Sequence, residues 1–307
     1  MNISKKIYPP KFCVLLASFN GEKFLNEQLE SIRIQKGVDI DLYISDDNSS
    51  DDTLNIIKRY QNLHRHSLSI SIFENKHNSG SSALNFFNLL EKIDLMRYQA
   101  ISFADQDDIW HENKLLAAWK NIEDGSNYGY SSSYTNFSND KENKYINKQS
   151  NQKKYDFVFE GPGPGCTFVI TQELALKIKE LINLNRDKIK NISYHDWFIY
   201  FYCRSLGLPW FIDNKSYIFY RQHEGNVWGS NVGLKSYLKR IKLILDGEYR
   251  NQIKNNLLLS PKKYDFSEYI LNKSFSGNLK LAKYFRDFRR DPKEALLLFF
   301  TFIFFLF

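Results

Sequence analysis

Cysteine is scarce in this sequence, and an export signal is missing from it. The three cysteines, Cys13, Cys166 and Cys203, lie far apart in apolar surroundings and show no CxxC spacing. An odd, dispersed set of this kind argues against a disulfide framework and indicates reduced thiols in a cytosolic protein. Residues 1–11 hold no apolar segment of the length that a secretory signal needs, so we expect no export.

A membrane-spanning segment is also missing. The apolar end of the chain, residues 295–307, is too short to cross a bilayer, which takes about 20 residues. Residues 235–307 carry 15 basic and 7 acidic side chains, whereas residues 1–234 carry 27 and 28. A basic stretch with an apolar end is typical of a helix lying on an anionic membrane surface. We therefore expect a peripheral protein on the cytoplasmic side of the membrane; the alternative is a helix packed on the protein's own core.

Short apolar runs alternate with amphipathic segments in the first third of the chain. The runs at 12–17, 40–45, 68–73 and 99–103 are predicted strands, and the segments between them place apolar residues at helical spacing. This rhythm predicts an α/β fold with a mostly parallel sheet flanked by helices. Ligands bind such sheets at the carboxyl ends of the strands, where the polar loops of this chain fall.

The regular pattern ends after Tyr134. Residues 135–154 are rich in Asn, Lys and Ser, and this composition predicts a mobile loop. Later segments predict strands at 166–170, 208–213 and 217–220, and helices from about 172 and over 193–206. From about 232 onward the sequence is polar, basic and helical in pattern.

Three carboxylates follow the fourth predicted strand, at Asp105, Asp107 and Asp108. Residues i and i+2 at a strand end project the same way, so Asp105 and Asp107 could share one divalent cation. Asp108 is expected to be structural. A turn or helix cap before His111 is the alternative explanation of the same residues.

A second acidic loop covers residues 46–52. Helix capping explains Asp51 and Asp52, because acidic side chains stabilise a helix N-terminus. Asp46 and Asp47 come earlier, on the strand side of the cap. An acid there could accept the imide N–H of a pyrimidine base. The residues alone are compatible with both helix capping and base binding.

Six segments together resemble one enzyme family. They are LLASFNGEKFLNEQLESI (15–32), ISDDNSSDDT (44–53), FADQDDIWHENKL (103–115), GCTFVI (165–170), HDWFIY (195–200) and YRQHEGN (220–226). With these segments in this order, the chain is similar to family 2 glycosyltransferases of the GT-A fold. It is especially similar to the rhamnosyltransferase-like group of bacterial surface polysaccharide biosynthesis. The resemblance covers residues 12 to about 230.

The resemblance implies a donor site for a nucleotide sugar and a metal. Asp47 matches the acid that holds the base. Asp105 and Asp107 match the DxD motif, whose Mg²⁺ or Mn²⁺ bridges the donor's two phosphates, and His223 could add a metal contact. The residues implied in binding the nucleotide sugar are Ala17, Ser18, Asn20, Glu22, Asp47, Asp105, Gln106 and Arg221.

On the acceptor side, Asp196 matches the catalytic base of an inverting transfer. The alternative for Asp196 is a capping box with Ser193 at a helix start. Trp110 and Trp197, which are expected in the acceptor pocket, could instead belong to the core. The acceptor and sugar pocket is expected to contain Trp110, Gly165, Cys166, Thr167, His195 and Trp197.

The chain departs from the family pattern in two places. Leu84 stands where many relatives have Arg, and residues 221–223 read Arg-Gln-His in place of the Gln-x-x-Arg-Trp of processive enzymes. The second departure favours transfer of one sugar per event. We expect residues 1–230 to form the GT-A domain, with a nucleotide-binding half (1–125) and an acceptor half (126–230). Residues 231–307 are expected to form a basic helical extension.

The expected function is inverting transfer of one sugar, with rhamnose as the best guess, from a dTDP- or UDP-sugar to a lipid-linked glycan. The product would belong to an O-antigen or a capsule, and no nucleic acid is expected as a partner. One alternative is a sugar nucleotidyltransferase, although residues 18–23 lack its Gly-rich basic signature. Another is a non-catalytic membrane scaffold or nucleic-acid binder that uses the basic C-terminal region.

Overall fold

The computed structural model of the chain describes residues 8–138, 141–223 and 246–307. Nine strands in these residues form one sheet. They are β1 (Lys11–Ser18), β2 (Asp39–Asp46), β3 (Ser69–Glu74), β4 (Ala100–Ala104), β5 (Ile109–Trp110), β6 (Gly129–Ser138), β7 (Lys141–Ile146), β8 (Val169–Thr171) and β9 (Trp210–Arg221).

Helices cover both faces of the sheet and continue through the described C-terminal residues. They are α1 (Leu25–Arg33), α2 (Thr53–His64), α3 (Ser82–Lys92), α4 (Lys114–Trp119), α5 (Asp156–Phe159), α6 (Gln172–Leu184), α7 (Arg186–Ile189), α8 (His195–Ser205), α9 (Glu248–Leu258), α10 (Ser267–Leu271), α11 (Phe275–Leu281), α12 (Phe285–Phe288) and α13 (Pro292–Ile303). Within the same residues, no helix is both apolar and long enough to cross a bilayer.

The sheet has the order β3-β2-β1-β4-β8-β6-β9-β5, and β7 pairs with β6. Strands β1 to β4 are parallel, whereas β8 runs antiparallel to β4 and to β6. Strand β9 is parallel to β6. The parallel half brings the carboxyl ends of β1, β2 and β4 to one edge, which is where the predicted site residues lie.

Strand β1 supplies side chains to two cores, one on each face of the sheet. Phe12, Val14 and Leu16 belong to one core, and the alternate residues Cys13 and Leu15 belong to the other. All five are fully buried. A strand that is buried on both faces reads as a continuous apolar run, which explains why this strand is evident in the sequence.

The prediction of a mobile loop over residues 135–154 is wrong for much of that segment. Strands β6 and β7 pair antiparallel there, with Thr135 opposite Tyr145 and Asn136 opposite Lys144. Of the described residues in this segment, 147–154 lack regular structure. An outer strand is held by backbone hydrogen bonds and can be polar on both faces, so composition alone does not separate it from a loop. The two strands expected at 208–213 and 217–220 are one strand, β9.

The C-terminal helices share the core of the acceptor side. Phe288 stacks on Phe159 of α5 with ring centroids 4.2 Å apart, and Phe302 and Phe307 also contact that ring. Arg290 pairs through its guanidinium with the buried carboxylate of Asp156 at 3.1 Å. One face of α13 is therefore packed on the protein's own core, as the alternative to membrane contact required.

Candidate active site

Two loops at the carboxyl edge of the sheet are joined by Gln106. The backbone N–H of Phe19 donates to Oε1 of Gln106 at 2.8 Å, and Nε2 of Gln106 donates to the carbonyl of Phe19 at 3.0 Å. Both ends of the amide are therefore occupied within the protein. Gln106 fixes the loop after β4 against the loop after β1, and each end of its amide keeps capacity for one more hydrogen bond, so the contact with the donor stays a prediction.

The loop after β1 is also bound to the loop after β2. Asn20, in the left-handed region at φ 48°, accepts the backbone N–H of Ser50 at 2.8 Å. Glu22 accepts the N–H of Asp52 at 2.9 Å, and the N–H of Gly21 donates to the hydroxyl of Thr53 at 2.7 Å. Asn20 and Glu22 thus shape the predicted nucleotide-binding loop from within.

Ala17 and Ser18 come just before this loop and form the end of β1. Ala17 lies opposite Ser45 of β2, and Ser18 lies opposite Asp46. The buried hydroxyl of Ser18 donates to Oδ1 of Asp46 at 3.1 Å. This contact places both residues at the base of the site, with the side chain of Ser18 turned toward β2.

Asp47 lies at the end of β2 and is 4% exposed. Its Oδ1 accepts the backbone N–H of Ser79 at 2.8 Å and the amide of Asn75 at 2.9 Å. Its Oδ2 accepts the hydroxyl of Ser79 at 2.8 Å. A carboxylate oxygen has capacity for two donors, so Oδ2 keeps a position for another N–H.

The loop after β4 carries the acid cluster. Asp105 and Asp107 are partly exposed, whereas Asp108 is fully buried. One ligand atom each of Asp105, Asp108 and Cys166 lie within 4.8 Å of one another. The fully buried Asp108 is therefore part of the cluster, and its Oδ2 has no hydrogen-bond partner among the described residues.

Burial and mutual repulsion both act on these carboxyls. Burial raises the pKa of Asp105 to about 7, with further contributions from the charges of Asp107 and Asp196. Burial also raises the pKa of Asp108 well above its ordinary range, with the charges of Asp107 and Asp105 adding to the effect. A cation bound here would relieve this repulsion.

The residues present fit a hard divalent cation. Carboxylate oxygens are the ligands that Mg²⁺ and Mn²⁺ prefer, and Asp105 and Asp107 are both partly exposed. His223 is next to them, with Nε2 2.7 Å from Oδ2 of Asp107. Burial raises the pKa of the Cys166 thiol well above its ordinary range, so the thiol is neutral beside these carboxylates when no cation is bound.

Arg221 at the end of β9 is turned inward. Its Nε donates to the carbonyl of Asp107 at 2.8 Å, and its Nη2 pairs with Glu27 at 3.0 Å. The guanidinium lies between the rings of Phe24 and Phe137, at 4.3 and 4.5 Å from their centroids. Arg221 thus holds the acid loop in place, and its expected contact with the nucleotide sugar stays a prediction.

Asp196 begins the first turn of α8 and is partly exposed. Its Oδ1 accepts the backbone N–H of Trp197 at 2.7 Å. No side chain caps this helix, so the alternative of a capping box with Ser193 is wrong. Burial raises the pKa of Asp196 to about 6, against the hydrogen bonds from the N–H groups of Trp197 and Gly165, which lower it.

His195 and Gly165 lie against Asp196. The imidazole of His195 is 8% exposed and packs on the rings of Phe86 and Phe103, with centroids 4.4 and 6.0 Å away. Its Nε2 faces Gly165, where an added Cβ would lie 2.5 Å from it. Burial lowers the pKa of His195 to about 3, so the ring is neutral near pH 7.

Four of the expected pocket residues belong to the core. Trp110 is 2% exposed, and Nζ of Lys114 lies 3.5 Å from the centre of its indole. Trp197 is 8% exposed, and its Nε1 donates to the carbonyl of Phe157 at 2.9 Å. Cys166 and Thr167 are 1% and 0% exposed. These side chains therefore expose little surface, and their contact with a sugar stays a prediction.

Sequence reasoning missed Lys114 and Glu27. Lys114 is 1% exposed and donates to the hydroxyl of Ser102 at 3.0 Å. Burial lowers its pKa to about 7. Lys114 is the first residue of an amphipathic helix in the sequence, and no local pattern signals its burial. Glu27 looks like an ordinary surface residue, and only the ion pair with Arg221 reveals its role.

Known proteins resemble this chain in sequence and in fold. Residues 13–192 match glycosyl transferase family 2. The chain is 36% identical over 281 residues to the dTDP-rhamnosyl transferase RfbG of Shigella flexneri, covering 92% of this chain and 96% of that one. It is 29% identical over 157 residues to a GalNAc(5)-diNAcBac-PP-undecaprenol beta-1,3-glucosyltransferase of Campylobacter jejuni, covering 48% of each chain.

The crystal structure of S. aureus TarS 1–349 in complex with UDP-GlcNAc has a similar fold. The TM-score is 0.59 at 16% identity, with 95% of this chain and 81% of that chain covered. At this identity the likeness concerns the fold alone. The α/β fold expected from the sequence, a mostly parallel sheet flanked by helices, is confirmed.

Proposed function

The chain belongs to glycosyl transferase family 2, and from this premise we propose that it transfers one sugar, with inversion, from a nucleotide sugar to a lipid-linked glycan. Membership of the family also confirms that the chain is an enzyme, and it does not support the nucleotidyltransferase and scaffold alternatives. The observation that carries the proposal is the position of Asp196. Asp196 lies against Gly165, and the neighbouring Cys166 has its thiol within 4.8 Å of ligand atoms of Asp105 and Asp108.

Asp196 is the proposed base. An inverting transfer needs one group that accepts the proton of the acceptor hydroxyl while its oxygen attacks the anomeric carbon. A carboxylate whose pKa is raised to about 6 is a stronger base than an ordinary aspartate and is still ionised near pH 7. The neutral ring of His195, beside Asp196, adds no positive charge that would weaken this base.

Asp105 and Asp107 are the proposed ligands of Mg²⁺ or Mn²⁺, and His223 is a further candidate. A bound divalent ion supplies Lewis-acid stabilisation of the nucleotide diphosphate that leaves. Arg221 and Gln106 hold this acid loop from both sides through backbone contacts. The metal side of the site is thus rigid before the donor binds, which lowers the cost of ordering it.

The proposed donor is dTDP-rhamnose, with a UDP-sugar as the second candidate. The relative of Shigella flexneri, which is matched over 92% of this chain, is named a dTDP-rhamnosyl transferase. Asp47 is the proposed acceptor for the imide N–H that thymine and uracil share, because Oδ2 keeps a position for a donor. Loop residues 17–22 would border the nucleotide.

The proposed acceptor is a lipid-linked glycan of surface polysaccharide synthesis, such as O-antigen or capsule. The relative of Campylobacter jejuni is named for a substrate carried on undecaprenyl diphosphate. A lipid-linked acceptor would place the enzyme at the cytoplasmic face of the membrane, as a peripheral protein. The Arg-Gln-His sequence at 221–223 supports transfer of one sugar per event.

A donor panel tests this function. The full-length protein is incubated with Mg²⁺ or Mn²⁺, a lipid-linked glycan fraction, and either dTDP-rhamnose or one of several UDP-sugars, and the released nucleotide diphosphate is measured. We expect acceptor-dependent release of dTDP, and a product whose anomeric proton shows inversion by NMR. Release from no donor would contradict the proposed function, and release from a UDP-sugar alone would contradict rhamnose. Reactions without acceptor are the control.

A further inference from the structure

We propose that α11, α13 and the residues after α13 form a docking surface for the headgroup region of an anionic phospholipid bilayer. The inference rests on the proposed function, because a lipid-linked acceptor is reached at a membrane, and it adds the surface that would make the contact. The sequence pointed only to the apolar tail. The structure divides that tail between the core and the surface and adds residues from another helix.

The helix α13 has two apolar faces. Ala295, Leu298 and Phe302 lie on the inner face and are at most 4% exposed. Leu296 and Phe300 follow each other at i and i+4 on the outer face, where they are 49% and 44% exposed. A helix on a soluble surface normally has polar residues on its outer face, so a second apolar face needs a partner.

The outer face continues beyond α13. Phe304, Phe305 and Leu306 are 67%, 38% and 45% exposed, and Phe275 of α11 is 58% exposed. The rings of Phe300 and Phe304 stack with centroids 6.1 Å apart, and those of Phe275 and Phe305 are 6.2 Å apart. The apolar patch, as we call it, consists of Phe275, Leu296, Phe300, Phe304, Phe305 and Leu306.

Such a contiguous apolar area is uncommon on a monomeric soluble protein and indicates a binding surface. Phenylalanine and leucine are the side chains that interfacial helices place at the boundary between headgroups and acyl chains. The inner face of α13 packs on the core of the protein, so the patch is fixed to the rest of the molecule. A bilayer bound at the patch would therefore hold the active site at a fixed orientation.

Positive charge borders the apolar patch. Nζ of Lys273 lies 5.3 Å from the centre of the Phe305 ring, so this cation is directly at the edge. Lys293 lies three residues before Leu296 on the same side of α13. Each lysine near an anionic leaflet is attracted to it. Apolar side chains bordered by cations are complementary to an anionic lipid surface.

A second copy of the chain fits this surface less well. A two-fold contact through the apolar patch would bring the same patch of both copies together. It would then place the cations around one patch beside those around the other, and like charges repel. A bilayer of anionic lipid accepts both the apolar side chains and the charge.

Vesicle binding tests the proposal without any donor. Full-length protein is sedimented with vesicles of phosphatidylcholine alone or mixed with phosphatidylglycerol. We expect binding to the mixed vesicles that weakens with salt, and weaker binding to the neutral ones. The double variant Phe300→Glu/Phe304→Glu should lose at least about tenfold in affinity for the mixed vesicles, because it puts carboxylates against anionic lipid. Leu184→Glu, at a position on α6 that is 74% exposed, is the matched control and should bind like the wild type.

A second pair, Lys273→Glu/Lys293→Glu, changes only charge and should also weaken binding to the mixed vesicles. It keeps the test valid if the phenylalanine variant does not fold, and the thermal midpoint of each variant establishes whether it does. Failure of the wild-type protein to bind the mixed vesicles would overturn the proposal. A dimer in solution that Phe300→Glu/Phe304→Glu dissociates, without vesicle binding, would overturn it in favour of a second copy.

Donor binding, measured by calorimetry without vesicles, separates this proposal from the proposed function. The docking variants should bind a nucleotide sugar as the wild type does, because their substitutions are on C-terminal elements and not in the loops of the site. Vesicle binding without any nucleotide-sugar binding would contradict the function and support the docking surface. Nucleotide-sugar binding without vesicle binding would support the function and contradict the docking surface.

Discussion

Gln106 and Phe19 are joined by a reciprocal pair of hydrogen bonds that fixes the loop after β4 to the loop after β1. Gly21 lies beside this amide, and a Cβ at Gly21 would overlap Oε1 of Gln106. The glycine is therefore required for close approach and not for an unusual backbone angle. Any side chain at this position forces the two loops apart or breaks the pair of bonds.

Gly21→Ala should accordingly weaken nucleotide-sugar binding by about tenfold, since it breaks hydrogen bonds worth about 1 kcal/mol each. The matched control is Gly161→Ala, where the nearest atom to an added Cβ is 3.7 Å away, an ordinary contact. Calorimetry with the donor measures both variants. Equal affinities for wild type and Gly21→Ala would mean that this pair of hydrogen bonds does not shape the donor site.

Asp107→Asn should remove the metal dependence of donor binding. The substitution takes away one anionic ligand and leaves His223 without its carboxylate partner at 2.7 Å. We expect the wild type to bind donor more tightly with Mn²⁺ than with EDTA, and the variant to bind weakly in both. Asp124→Asn, an exposed aspartate outside the site, is the control. Donor affinity that EDTA leaves unchanged in the wild type would refute the metal site.

Asp196→Asn should lower kcat by about 10²- to 10⁴-fold, the usual contribution of a general base. The amide has the same shape and can still accept the N–H of Trp197, so the start of α8 should be preserved. Donor affinity is expected to be unchanged. Asp187→Asn on α7, whose side chain is 98% exposed, is the matched control. A variant with wild-type turnover would remove Asp196 from the mechanism.

The rate should depend on pH through the same carboxylate. The base acts when it is ionised, and its pKa is raised to about 6. The value of kcat/KM should therefore be flat at neutral pH and fall tenfold per pH unit as the pH drops below about 6. A profile that stays flat down to about pH 5 would contradict a base with this pKa. Thermal midpoints at each pH separate this effect from unfolding.

The sequence predicts those parts of the molecule that depend on local pattern. The runs at 12–17 and 40–45 are buried strands because their neighbours cover both faces, and such runs are visible without a structure. Asp105, Asp107 and Asp196 are found by spacing and resemblance, since their chemistry requires a carboxylate at that point of the chain. Their positions at one edge of the sheet agree with the predicted topology.

Contacts between distant residues were not predictable in this way. Arg221 has the expected position, but its pairing with Glu27, 194 residues earlier, could not be predicted from the local sequence. Trp110 follows the acid cluster, and only the packing of Lys114 on its ring shows that it belongs to the core. A polar strand such as β7 is stabilised by pairing with β6, which its own composition does not reveal.

His195 should make the stability of the protein depend on pH. Its pKa is lowered by burial to about 3 in the folded state, below the value of about 6.5 for an unfolded chain. Between these values the unfolded state binds a proton at this residue and the folded state does not. The free energy of unfolding should therefore fall as the pH drops below about 6.5, by at most about 1.4 kcal/mol per pH unit.

His195→Gln removes the titrating group and keeps a polar side chain, so its stability should fall less than that of the wild type over this range. Urea unfolding from about pH 7 to about pH 5 measures both proteins while they are folded. The exposed His66→Gln is the surface control. Parallel curves for the wild type and His195→Gln would show that the ring takes up a proton in the folded state. The positive charge beside Asp196 would then lower the pKa of that carboxylate and make it a weaker base.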